Sequence, residues 1–378
     1  MKILHVVSGC NPLTGGVIEG IKQITNLYKK KNIKFNIVSC DNPNEKFLKD
    51  KSLKNVIPLG PKYFKFSYTK KLLPWLLNNI SKYNLIIVDG LWQYHNYAVW
   101  KAAKINKKPY FVFSHGMLDK WFNRTYPFKF LKKIFFWWII QYKVLRDAKR
   151  VLFTTKNEVL NAKKSFWPYQ LKSKIIGYGI EGYKNKNFIK TNFFLKKYPN
   201  FKNKNIILFL GRIVEKKGLD LLINAFNKIK EKNDRIVIAG KGSQSYELKI
   251  KKLIKKENLQ NYVLWTGNLK GKIKWDAFRS AKLFCLSSHQ ENFGISVVEA
   301  LSCEIPVLIS NKVDIYKEVK KHEAGFVDDD TISGTTRSLK KWKKLSKNKY
   351  KEMCINASIC FKNEFEISNT VNNILKLI

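Results

Sequence analysis

Three short stretches of this chain place side chains where they could do chemistry. In His289-Gln290-Glu291-Asn292-Phe293-Gly294-Ile295-Ser296-Val297-Val298-Glu299-Ala300, two glutamates are separated by seven residues with a Phe-Gly pair between them. Glu291 falls in the loop after the apolar run Leu283–Leu286, and Glu299 about a turn into an apolar helix expected over Ile295–Leu301. Both can therefore face a ligand entering at the strand end. In a chain with only 28 acidic residues against 72 basic ones, two carboxylates flanking a helix N-terminus suit hydroxyl ligands such as a ribose and a sugar. The second stretch, Leu210-Gly211-Arg212 to Lys217-Gly218, brackets a loop with a planar guanidinium and a compact ammonium. That pair could grip a diphosphate; standing alone, it would read as two solvated cations among many. The third, Ser8 to Val17, ends a strand with Gly15-Gly16 before a helix, a place where free amides can meet an anion. It is neither G-x-G-x-x-G nor a Walker loop, and by itself it reads as a structural turn.

The elements that must hold these residues alternate in a regular way. Continuous apolar runs at Ile3–Val7, Phe35–Ser39, Leu85–Val88, Tyr110–Ser114, Val151–Thr154 and Ile175–Gly177 read as strands buried on both faces. Helices are expected at Val17–Lys30, Tyr68–Lys82 and Tyr94–Asn106. A second series runs through Ile206–Leu210, Ile236–Ala239, Val263–Trp265, Leu283–Leu286 and Val307–Ile309. This is α/β: two doubly wound Rossmann-like domains facing each other across a cleft, with ligands at the strand C-terminal ends. The expected boundaries are an N-terminal domain over 1–190, a Lys/Asn-rich linker over 191–205 and a C-terminal domain over 206–360. A terminal helix over 361–378 is positioned to pack back on the first domain.

The order of motifs resembles the retaining glycosyltransferases of family four, the glycosyl transferases group one, which have the GT-B fold. The resemblance covers nearly the whole chain and is strongest over 206–327, where G-R-x₄-K-G, the E-x₇-E block and Gly325-Phe326-Val327 occur in family order. It implies a hexosyl or related glycosyltransferase that moves a sugar from a nucleotide-diphosphate donor to an acceptor hydroxyl with retention. By that resemblance Arg212 and Lys217 neutralise the donor diphosphate, and Glu291 reaches sugar hydroxyls. Phe293, Gly294 and Ile295 supply backbone amides, and Glu299 holds the ribose. Gly15 and Gly16 mark the glycine turn that approaches the phosphates from the other domain, and His115 stands near the reacting centre at the end of Phe111-Val112-Phe113-Ser114. His5, His95, His289 and His322 read as structural, and Gly240-Lys241-Gly242 as a turn. No cofactor and no metal are expected, because cations and helix amides can stabilise the departing diphosphate. Asp328-Asp329-Asp330 reads as a solvated turn rather than a metal motif.

The formal charge of +44 calls for an anionic partner, and residues 1–190 carry 36 basic against 9 acidic side chains. Between Asp119 and Asp147 there is no acid. Lys120, Arg124, Lys129, Lys132, Lys133, Lys143 and Arg146 are interleaved there with ten aromatic residues. That window reads either as a buried helix with a solvated basic face or as an interfacial helix on an anionic membrane. The longest apolar run, Ile134 to Ile140, is far too short to span a bilayer. The N-terminus lacks a signal-peptide pattern, and the six cysteines show no C-x-x-C pair, so a cytoplasmic protein with reduced thiols is expected, peripheral on the inner face of the plasma membrane. The expected partners are a nucleotide-sugar donor, a glycan or lipid-linked acceptor in cell-surface polysaccharide, lipopolysaccharide or lipid-linked glycan assembly, and that membrane surface. The competing readings are a basic nucleic-acid-binding protein, disfavoured by the absence of any helix-turn-helix, RNP or zinc-finger pattern, and an inverting GT-B enzyme.

Overall fold

The computed structural model describes residues 1–12, 16–119, 127–183 and 192–378. Two compact units account for them: Met1–Gly179 with Ile367–Ile378, and Ile180–Glu366. The first holds β1 (Lys2–Val7), β2 (Lys34–Ser39), β3 (Val56–Pro58), β4 (Leu85–Asp89), β5 (Phe111–Phe113), β6 (Arg150–Phe153) and β7 (Ser173–Ile175). These form one sheet in the order β3-β2-β1-β4-β5-β6-β7, every pair parallel. The second holds β8 (Asn205–Leu210), β9 (Asp234–Ala239), β10 (Val263–Gly267), β11 (Leu283–Leu286), β12 (Val307–Ser310) and β13 (Gly325–Asp328). Its order is β10-β9-β8-β11-β12-β13, again wholly parallel. These are two doubly wound Rossmann-like α/β units.

The central strands are apolar without alternation because helices cover both faces of each sheet. Leu4, Val6, Ile87, Val88, Ile207, Leu208, Leu283 and Leu286 are all fully buried. Each such side chain contributes roughly 1.5–3 kcal/mol by leaving water. The strand order reverses direction between β1 and β4 in one unit and between β8 and β11 in the other. Crevices outside the carboxyl ends of strands at such a switch are where open α/β sheets bind ligands. The candidate residues emerge from these ends.

The structure differs from the sequence reading at the boundaries. The unit division falls at Gly179/Ile180, not in a linker over 191–205, because residues from Asn192 onward already belong to the second unit. The Asn192 side chain donates to Ser280 Oγ at 2.7 Å, and the Phe193 amide donates to Asp276 Oδ2 at 2.9 Å. Residues 361–366 likewise stay with the second unit, and the terminal helix Ile367–Leu375 packs in the first, against the helix Gly16–Lys30. The helix expected over Tyr68–Lys82 starts only at Leu72. Pro74 dictates this: with no N–H, it fits the first turn of a helix but not its interior. The three-residue β3 went unread, since so short a strand leaves no periodicity to detect.

Candidate functional site

In the second unit the loops after β8 and β11 are stitched to one another. The His289 amide donates to the Lys216 carbonyl at 2.9 Å, and Lys216 Nζ donates to Gln290 Oε1 at 2.7 Å. Lys217 Nζ is ion-paired with the Glu291 carboxylate, both side chains largely buried. Gly218 takes a left-handed φ of +62°, and a Cβ there would lie 2.1 Å from the Ser287 carbonyl oxygen. Only glycine permits that approach. Arg212 projects from the same loop, is exposed, and makes no side-chain hydrogen bond or ion pair among the described residues. This loop thus presents a guanidinium uncommitted among the described residues, beside a lysine already balanced by a carboxylate.

Gly294, at φ +75°, caps the helix Ile295–Ser302. The amides of Gly294, Ile295 and Ser296 have no partner among the described residues, as expected for a first helical turn, and they make a partial positive end. The Phe293 side chain is buried and packs edge-on against Phe365, with ring centroids 5.7 Å apart, so the residue anchors this loop through its ring. Glu299, nearly buried, has Oε1 2.7 Å from Lys274 Nζ, and that ammonium lies 4.5 Å over the Trp275 ring. Both carboxylates of the E-x₇-E block are therefore held by a lysine. Lys274 went unread because it comes from the separate helix Gly271–Ser280, with no motif spacing to mark it. Gly240-Lys241-Gly242, read from sequence as a turn, instead runs on from β9 and bridges in parallel to the arginine loop, the Ile213 amide donating to the Lys241 carbonyl at 2.9 Å. Asp328-Asp329-Asp330 is not a free turn: Asp328 ends β13 and pairs with Arg337, and Asp330 lies 2.9 Å from His289 Nδ1.

The first unit carries a buried polar centre at the ends of β4 and β5. Asp89, the last residue of β4, has Oδ2 2.7 Å from His5 Nδ1 and Oδ1 3.0 Å from His115 Nε2. Burial alone would raise its pKa, but the charge of His5 and the hydrogen bonds from His115 and His5 outweigh it and hold the carboxyl at about 2. His115 sits two residues beyond β5 at φ +48°, stacked on Phe113 with centroids 4.0 Å apart and met edge-on by Tyr178. Its two neighbours are fixed by Glu158, a buried carboxylate that accepts from Ser114 Oγ at 2.5 Å and from the Gly116 amide at 2.7 Å. Glu158 also accepts from the Thr154 amide and hydroxyl, so four donors satisfy it. His95, fully buried, is pushed down to about 4 by desolvation and is a neutral structural histidine.

His5, read from sequence as structural, belongs to this centre instead. Asp89 and Glu158 were missed, although each was visible as a rare acid in the basic first half, Asp89 at the end of an apolar strand. Gly16 opens the helix Gly16–Lys30; Gly15 lies outside the described residues, as do Lys120 to Tyr126 of the basic aromatic window. The preceding loop is clamped by Asp41, which accepts from the Cys10 amide at 2.6 Å and pairs with Lys62 at 2.9 Å. All six cysteines are free, and burial pushes the Cys10, Cys40, Cys285, Cys303 and Cys360 thiols up to about 12.

Comparison with known proteins now bears on this geometry. The model of the family described as glycosyl transferases group 1 matches residues 190–359. The uncharacterized glycosyltransferase MJ1059 of Methanocaldococcus jannaschii is 28% identical over 299 residues, 67% of this chain and 70% of that protein. The capsular polysaccharide biosynthesis glycosyltransferase CapM of Staphylococcus aureus is 26% identical over 339 residues, 86% of this chain and 83% of its own. Among solved structures, Alr3699/HepE of Anabaena in complex with UDP superposes with a TM-score of 0.79 at 16% identity, over 100% of this chain and 99% of that one. The family match lies in the second unit while the relatives and the shared fold extend through both: the chain has the GT-B fold, and over residues 190–359 it matches the glycosyl transferases of group 1.

Proposed function

We propose that this enzyme transfers a sugar from a nucleotide-diphosphate donor to an acceptor hydroxyl with retention, without a divalent cation. The observation that carries the reading is the exposed Arg212, without a side-chain partner among the described residues, on a loop bonded to the Lys217–Glu291 pair at the ends of β8 and β11. Breaking the anomeric C–O bond leaves a full negative charge on the diphosphate, and preorganised cations and amides are the effective remedy. Arg212, Lys217 and the amides of Gly294 and Ile295 supply that charge, Glu291 meets sugar hydroxyls and Glu299 the ribose. The acceptor oxygen attacks the anomeric carbon from the face the diphosphate leaves. The acceptor proton passes to the departing phosphate oxygen, giving glycoside and nucleoside diphosphate. Because protein cations balance the leaving group, turnover is expected to persist in EDTA.

A thermal-shift screen against nucleotide sugars and nucleoside diphosphates tests the donor half. A ligand at a hundred times its Kd adds about 2.7 kcal/mol, enough to raise Tm by several degrees. No shift with any nucleotide sugar would overturn the reading. For the ribose role, Glu299→Ala removes a charged acceptor worth about 1.5–3 kcal/mol, so donor KM is expected to rise roughly ten- to hundredfold with kcat less affected. An unchanged donor KM would remove Glu299 from the ribose site.

One observation favours a second stereochemistry. Inversion needs a general base in the first unit, and His115 held by Asp89 is of that type. NMR of the product anomer separates the two outcomes.

The acceptor is proposed to be a growing cell-surface glycan on a lipid carrier, reached at the anionic inner face of the plasma membrane. Among the described residues no helix is long and apolar enough to cross a membrane. On the helix that begins at Pro127, Leu131, Phe135, Trp138 and Ile139 are exposed at helical spacing, and exposed Trp167 packs on Trp138 with centroids 5.3 Å apart. Exposed Lys132, Lys143, Lys163 and Lys164 are near in sequence to these residues. Apolar anchors with cations suit an interfacial site on anionic lipid. Flotation with phosphatidylglycerol vesicles at physiological salt is expected to carry the protein upward, and Trp138→Ser with Trp167→Ser to abolish it. Failure of the wild type to float would discard the membrane claim.

A further inference from the structure

We infer that Asp89 is a positioning residue for His115: from the end of β4, between His5 and His115, its carboxylate fixes the His115 proton on Nε2 and leaves Nδ1 to address the substrate. This rests on the proposal that His115 works at the reacting centre; the proton placement itself follows from the buried geometry.

Both oxygens of Asp89 are committed, one to each imidazole, and its side chain is almost wholly buried. The carboxyl stays ionised far below neutrality, so it can only accept. The nitrogens facing it, His5 Nδ1 and His115 Nε2, must therefore both carry hydrogen. His5 has no second role available: its Nε2 is buried with no hydrogen-bond partner among the described residues. Its side-chain hydrogen bond among the described residues holds the second oxygen, which stops the carboxylate turning away from His115. The His115 ring is fixed by its stack on Phe113, by Tyr178 at its edge and by Glu158 gripping residues 114 and 116. Nδ1 makes no hydrogen bond among the described residues. With its proton on Nε2, the neutral form of His115 would offer a lone pair at Nδ1, able to accept from a substrate hydroxyl, whichever stereochemistry the reaction follows.

Long-range ¹H–¹⁵N spectra of the labelled full-length protein read the tautomer directly. The expected wild-type pattern for neutral His115 is a protonated Nε2 and a bare Nδ1. A neutral ring protonated on Nδ1 overturns the inference, whether or not any substrate has been found. In Asp89→Asn the amide brings one acceptor oxygen and one donor nitrogen, so one imidazole must turn a lone pair toward it. The His115 pattern is then expected to change, with kcat falling at least roughly 10- to 100-fold, the loss typical when the partner that orients a metal-bound imidazole is removed. Donor KM should stay within about threefold, since donor binding is untouched. Wild-type kcat in a folded Asp89→Asn would overturn the positioning role. If that variant does not fold, the wild-type spectrum still decides. If no nucleotide sugar is turned over, the functional proposal fails separately from the tautomer.

Discussion

Arg212→Ala is expected to lower kcat by about 10²–10³ while leaving the fold intact, the loss typical of removing one preorganised stabiliser of a developing anion. The second half of that expectation comes from the structure. Arg212 is exposed and makes no side-chain hydrogen bond or ion pair among the described residues, so truncating it breaks no internal contact. Surface changes of that kind usually alter stability by less than about 0.5 kcal/mol. Circular dichroism and thermal melting should therefore match wild type while turnover collapses. Lysine at 212 should restore only part of the rate, because a point charge cannot reproduce a two-pronged grip. Near-normal kcat in Arg212→Ala would remove the residue from the mechanism.

Lys217→Ala should be as severe for a different reason. Lys217 is already spent on Glu291 in the free enzyme, and both side chains are largely out of water. Deleting the ammonium takes away a cation and also leaves a largely buried carboxylate unbalanced where a diphosphate is to bind. A kcat loss of about 10²–10³ is expected, accompanied by weaker donor binding. Because the two side chains act on each other, Lys217→Ala and Glu291→Ala should not add. A double-mutant cycle is expected to show coupling of about 0.5–3 kcal/mol, with the double variant better than the sum of its parts predicts. Strict additivity would mean that the ion pair is incidental to catalysis.

The central strands of both sheets were legible because burial on two faces leaves an unbroken apolar run, which Leu85–Val88 and Ile206–Leu210 display plainly. The E-x₇-E block was legible because its spacing is local: a loop, a capping glycine and one helical turn. What stayed hidden depends on residues brought together from distant strands. Asp89 meets His5 across 84 positions, and Glu158 meets Gly116 across 42. Lys274 reaches Glu299 from another helix. No local pattern encodes such pairs, though their burial in a basic chain marks them once the fold is known. The linker was misplaced because Lys/Asn-rich composition suggested solvent exposure, whereas Asn192 and Phe193 cap and anchor a short helix on the second unit. Asp328 to Asp330 were read as solvated for a similar reason, yet Arg337 and His289 claim two of them.

Calorimetric titration of nucleoside diphosphates in EDTA tests most directly whether fixed protein cations hold the leaving group. The wild type is expected to bind at least one nucleoside diphosphate without divalent metal, and Arg212→Ala to bind it more weakly, with a shallower dependence on salt. Binding that appears only when Mg²⁺ is added, or that is equally tight in Arg212→Ala, would contradict the account.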